Sequence, residues 1–135
     1  MTIPSHFIGG RPMESSTGAT DDVIDPSNGA AIQSVTLATP EDVDTAVAAA
    51  TAAFPEWSGA TPGARSDALA AFARVLADRA DELAAVESRQ AGKPIRLATE
   101  FDVPGTVDNT AFFSGAARNL EGRAAGEYSG DHTSI

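Results

Sequence analysis

Several residue groups in this sequence have side chains that could do chemistry, and the densest lies in residues 88–104, SRQAGKPIRLATEFDVP. Gly92 followed by Lys93 invites comparison with a phosphate-binding loop. That motif needs a glycine five positions before Gly92, and a Ser or Thr after the lysine to reach the metal. The sequence has Glu87 and Pro94 there. The phosphate loop is therefore excluded as that motif, and Gly92 reads as the residue that ends a helix, with Pro94 blocking its continuation. Glu100 and Asp102 are a second candidate, but carboxylates two apart on a helix point to different sides and cannot share a proton. A glycosidase-type pair would need tertiary help that the sequence does not show. At a helix start the same carboxylates simply complement the N-terminal dipole. His6 and His132 lie near opposite ends without ligand spacing, so no metal site is expected from them. Phe112 and Phe113, followed by Ser114, Gly115, Ala116 and Ala117, read as core aromatics beside a closely packed small-residue face.

Composition narrows the chemistry further. There is no cysteine, hence no disulfide, no thiolate zinc site and no cysteine nucleophile. Nine basic residues stand against nineteen acidic ones, a formal charge of -10, and the basic residues are scattered. Such a surface repels polyanions, so neither nucleic acid nor an anionic membrane is an expected partner. The opening MTIPSHFIGGRP lacks the basic and long apolar regions of a secretory signal, and no later apolar run approaches bilayer length. A cytoplasmic location is expected. The 135 residues amount to one domain at most.

The elements that must position these residues follow from local pattern. To about Ala38 the chain reads as two or three short strands, with hairpin connections at Gly10 and at Pro26-Ser27-Asn28-Gly29. At Thr39 the period changes. Val43, Ala46, Val47, Ala50, Phe54 and Trp57 fall on one helical face. Thr39 suits the N-cap, Pro40 the first helical position and Asp42 the reciprocal place, while Pro55 should end or kink the helix near Phe54. Thr61-Pro62 repeats the start signal ahead of Leu69, Phe72, Leu76, Leu83 and Val86, and Asp78 and Asp81 should split this stretch into two helices meeting near Ala80. After Gly92 a further helix is expected from about Leu97 to Leu120, with Pro104 in its first turns or at a kink. The polar, Gly-marked tail then leads into the start of a strand.

Read in order, FIGG, VIDPSNG, EDVDTAVAAATAAFPEW, ELAAVESRQAGKP and FFSGAARNLEG resemble the N-terminal part of the NAD-dependent aldehyde dehydrogenase family. The closing FFSGAARNLEGRAAGEYSGDHTSI is most similar to the γ-aminobutyraldehyde dehydrogenase branch. The resemblance implies an α/β fold: a β arm (1–38), the helical part of a Rossmann-type cofactor domain (39–120), and the start of a β-bridging segment used in homo-oligomerisation (121–135). It implies that a cysteine thiolate attacks the aldehyde, hydride passes to NAD, and a glutamate assists thioester hydrolysis. None of that machinery is in this chain, which has neither the cysteine, nor the glycine-rich cofactor turn, nor the family's Pro-Trp-Asn. No catalytic or cofactor-binding residue is assigned here.

Four positions carry over by resemblance. Ile24 matches a position whose carbonyl helps hold a monovalent cation, and Gln90 matches the carboxylate completing that site; Gln for Asp removes a charge. Phe101 and Asp102 match an aromatic and an acid that receive a substrate ammonium in aminoaldehyde-oxidising relatives, a chemically apt pairing for a cation. Gly105 falls where some relatives carry a second acid. The expected function is thus the N-terminal fragment of an enzyme oxidising a small aldehyde, such as γ-aminobutyraldehyde, and inactive by itself. The alternatives are the same family with betaine aldehyde or succinic semialdehyde, or a free-standing helical interaction module.

Overall fold

The computed structural model describes residues 6–15, 19–119, 126–129 and 132–134. Two compact units divide the chain, Met1–Gly59 and Ala60–Ile135. The helix expected to reach about Leu120 instead ends at Ala116, where the Asn119 side-chain amide donates to the Gly115 carbonyl at 3.0 Å and takes the place of a continuing backbone bond; residues 120–125 lie outside the described residues.

In the first unit, β1 (His6–Ile8) and β2 (Arg11–Met13) form an antiparallel hairpin in which Phe7 faces Pro12. Its turn needs Gly9 and Gly10, both left-handed at φ 62° and 77°, which glycine adopts without steric cost. A second hairpin joins β3 (Thr20–Ile24) to β4 (Ala31–Thr36), with a register shift between Val23 and Ile24. The Asp25 carboxylate organises its turn by accepting from the Ser27 N–H at 2.8 Å and the Ser27 hydroxyl at 2.6 Å. Four short strands thus stand where two or three were expected.

Helix α1 (Pro40–Gly59) starts as its sequence dictates. The Asp42 N–H donates to Thr39 Oγ1 at 3.0 Å and the Thr39 N–H donates to Asp42 Oδ2 at 2.9 Å, a reciprocal capping box. The helix does not end at Phe54. It runs through Pro55 to Gly59, because a proline this close to the C-terminus removes one helical hydrogen bond and only about one further turn depends on it.

The second unit opens with α2 (Pro62–Asp78), whose N-cap Thr61 accepts from the Ala64 N–H at 3.2 Å. The break falls at Arg79, one residue from the expected place, and α3 (Ala80–Ala91) follows. Arg79 bridges Glu82 with two hydrogen bonds of 2.8 and 2.6 Å across the break. A single short turn, α4 (Ile95–Leu97), leads into a π-helical turn at Ala98–Asp102 and then α5 (Val103–Ala116). The core of this unit is small. Ala98 (0% exposed), Ala84 (1%) and Val103 pack together with Ala80 and Leu83 against them, so that α3 crosses the π turn at close range. Beyond α5, Arg118 Nε donates to Ser66 Oγ at 2.9 Å and Arg118 Nη2 to Asp67 Oδ1 at 3.0 Å, tying the end of α5 to α2. Strands β5 (Gly126–Ser129) and β6 (His132–Ser134) pair antiparallel, as the strand expected at the chain's end required.

Among the described residues the whole is mixed α/β, every strand pair is antiparallel, and no helix is long and apolar enough to cross a membrane. Phe112 and Phe113 meet edge to face at 5.3 Å but are exposed, unlike the core aromatics expected of them.

Candidate functional site

Gly92 ends α3 in the left-handed conformation, φ 67° and ψ 17°. It is the C-cap that its sequence context indicates and not a phosphate cradle. The chain reverses there. Ser88 Oγ–H, one turn back in α3, donates to the Lys93 carbonyl at 2.7 Å and fixes the backbone from which the lysine side chain leaves. Lys93 Nζ then lies 2.7 Å from Asp102 Oδ2 and 3.7 Å from Glu87 Oε1. Asp102 beside the ammonium raises the Lys93 pKa above its ordinary value; partial burial opposes this, and the Coulombic pull of Asp102 and Glu87 adds to it.

The π turn has a local cause. The Val103 N–H donates to the Ala98 carbonyl, five residues back, in place of the usual four. Pro104, next in line, has no N–H with which to restore the α-helical ladder. This wider turn carries both Phe101 and Asp102. Asp102 faces inward to Lys93, its Oδ2 closed to solvent, while Phe101 is 63% exposed.

A cavity of about 420 Å³ opens beside this ion pair. Leu76, Leu83, Val86 and Val103 line it with apolar surface, and Glu87, Lys93, Asp102 and Thr106 complete it. Two carboxylates against one ammonium leave it one negative charge in excess. That combination suits a small molecule with an apolar body and a cationic end. Phe101 is not among the lining residues, so the structure brings Asp102, but not Phe101, to the cavity.

The other sequence candidates are each described on their own element. Glu100 sits 4.0 Å from Arg96 Nε on an exposed helical face, away from any shared proton with Asp102. Ile24 ends β3 in the first unit, paired with Ala31; Gln90 lies exposed in the last turn of α3 in the second. His6 Nε2 approaches Asp42 Oδ2 at 3.8 Å, and no cluster of three or more metal-ligating side chains occurs among the described residues. Nor do those residues include a strand, glycine-rich turn and helix in parallel arrangement that would fit a dinucleotide. Lys93 was weighed in the sequence only as the lysine of a phosphate loop and set aside with it. Its signal was its type: it is the chain's one lysine, directly after a helix-ending glycine and with carboxylates on both sides in sequence.

A model described as the aldehyde dehydrogenase family matches residues 13–135. Among solved structures, PnpE in complex with nicotinamide adenine dinucleotide superposes with a TM-score of 0.85 at 35% identity, covering 96% of this chain and 26% of that one. PnpE from Pseudomonas sp. WBC-3 gives a TM-score of 0.81 at 36% identity, over 92% of this chain and 25% of the other. The γ-glutamyl-γ-aminobutyraldehyde dehydrogenase of Burkholderia cenocepacia J2315 gives 0.80 at 32% identity, over 98% and 27%. This chain spans about a quarter of the length of these structures.

Proposed function

The chain belongs to the aldehyde dehydrogenase family, and we propose that it forms the N-terminal part of an enzyme that oxidises an aldehyde to a carboxylate with NAD. The match over residues 13–135 carries this, and the NAD complex of the similar PnpE structure supports the cofactor. NAD accepts the hydride when bound. The residues that would hold it are not in this chain, and neither is a cysteine to attack the carbonyl carbon. What this chain supplies is a support for one side of the substrate path: the Gly92 cap and the π turn fix Lys93, Phe101 and Asp102 in space.

We further propose an aminoaldehyde such as γ-aminobutyraldehyde as the substrate, and a cytoplasmic homo-oligomer as the working form. Two observations support the substrate class. One similar structure is a γ-glutamyl-γ-aminobutyraldehyde dehydrogenase, and the cavity at Asp102 combines an apolar wall with one carboxylate in excess.

The test is NADH formation by the complete enzyme with γ-aminobutyraldehyde, betaine aldehyde, succinic semialdehyde and an uncharged aldehyde of similar length. Asp102→Ala should raise KM for γ-aminobutyraldehyde several-fold, about the factor of 5 that one screened charge contact supplies, and leave the uncharged aldehyde unaffected. The kcat should change little, because a contact remote from the reacting carbon acts equally in ground and transition states. Preference for succinic semialdehyde, or equal losses on charged and uncharged substrates, would refute the aminoaldehyde reading and leave Asp102 a structural carboxylate.

A further inference from the structure

We propose that Lys93 is a specificity-determining residue that tunes the charge preference of the aldehyde path, neutralising Asp102 from the inside so that a substrate ammonium meets a weakened carboxylate. The proposal deepens the aminoaldehyde reading and rests on it for the route of the substrate past Asp102.

Four observations carry it. Lys93 Nζ is closer to Asp102 (2.7 Å) than to Glu87 (3.7 Å), so the lysine's charge is directed mainly at the π turn. Both ends of the pair stand on fixed backbone. Lys93 follows the left-handed Gly92 cap and is held by the Ser88 hydroxyl at its carbonyl; Asp102 closes a π turn anchored by Ala98, which is completely buried. The fixed backbones set the separation that the two side chains span. Third, Asp102 Oδ2 is closed to solvent although 42% of the side chain is exposed. Lys93 therefore holds the inner oxygen while the exposed remainder stays within reach of an external cation. Fourth, the pair borders a cavity whose remaining wall includes Leu76, Leu83, Val86 and Val103, so that an apolar substrate chain and its charged end would meet the pair together.

The charge balance gives the direction. With Lys93 the cavity has one negative charge in excess; without it, two carboxylates face the ligand unopposed. Lys93→Met, of similar length and no charge, should lower KM for γ-aminobutyraldehyde in the complete enzyme by about fivefold, the effect of one charge at roughly 4 Å in a water-like medium. KM for succinic semialdehyde should rise by a similar factor, that for an uncharged aldehyde should stay put, and Lys93→Arg should behave as the unaltered enzyme. A role in positioning alone would move all three substrates together.

A readout independent of turnover is the binding of butylammonium chloride to the complete protein by calorimetry. It should tighten in Lys93→Met and weaken in Asp102→Asn, two variants of one ion pair moving in opposite directions. Both variants moving the same way, or Lys93→Arg matching Lys93→Met, would overturn the proposal. Absence of any aldehyde oxidation by the unaltered complete enzyme would count against the proposed function, with the butylammonium result still deciding the role of Lys93.

Discussion

Replacing Gly92 by alanine tests whether this glycine is a helix cap, because a cap and a phosphate cradle fail in different ways. Gly92 sits at φ 67° and ψ 17°, where an L residue with a Cβ costs about 1–2 kcal/mol. Alanine also restricts the unfolded chain, which returns about 0.4–1 kcal/mol. The net expectation for Gly92→Ala is a destabilisation of about 1 kcal/mol, with Gly92→Val worse and Gly92→Asn milder because Asn tolerates the left-handed region. The measurement is the urea midpoint followed by circular dichroism, and the matching fall in Tm should be about 4 °C. A second consequence follows from the Ser88 to Lys93 bond of 2.7 Å: distorting the cap displaces the lysine, so Lys93 and Asp102 should separate in the variant's structure. If Gly92→Ala were as stable as the parent, the capping argument would be wrong. A fall in phosphate binding at unchanged stability would revive the loop reading.

Three further outcomes are expected. The 135-residue chain alone should form no NADH from γ-aminobutyraldehyde and show no heat of NAD binding, since it contains no cysteine and its described residues no dinucleotide turn; turnover above a no-protein blank would contradict this. It should self-associate with concentration and bind an apolar dye, because Val43, Val47, Phe54 and Trp57 on α1, and Phe112 and Phe113 on α5, are exposed; a dye-free strict monomer with a sharp melt would favour the interaction module. Acid should loosen the start of α1. The Ser15 hydroxyl at 2.5 Å and the Thr39 N–H at 2.9 Å hold the Asp42 pKa below its ordinary value of 3.8. A depressed folded-state pKa gives stability that is complete above the unfolded value and is lost as pH falls through the folded one. The protection of the Val43 amide, taken relative to its intrinsic exchange rate at each pH, should therefore fall below about pH 4, and Asp42→Asn should remove that acid-dependent part.

What the sequence disclosed and what it concealed differ in range. The starts at Thr39 and Thr61, the break at Arg79 and the stop at Gly92 were legible because each is decided within about one helical turn, by a hydroxyl, a proline or a missing Cβ. The continuation of α1 past Pro55 was not, since the rule that proline breaks helices weakens when only one turn remains to be lost. Periodicity named the face of α1 that seeks burial without saying what covers it, and Val43, Val47, Phe54 and Trp57 are exposed among the described residues. The site shows the same limit. Asp102 was singled out by resemblance as the receiver of an external ammonium, yet the structure gives it an internal one. Lys93 is nine positions away, beyond any helical neighbour rule, and reaches Asp102 because a left-handed cap ends α3 just before it and the turn ahead of Pro104 is one residue wider than an α-helical one. Both causes were written in the sequence as Gly92 and Pro104. Their joint effect was not, because it depends on Ala84 and Ala98 being small enough to let α3 and the π turn close on each other. The Lys93–Asp102 pair thus depends on the close packing of two alanines as well as on its own two charges.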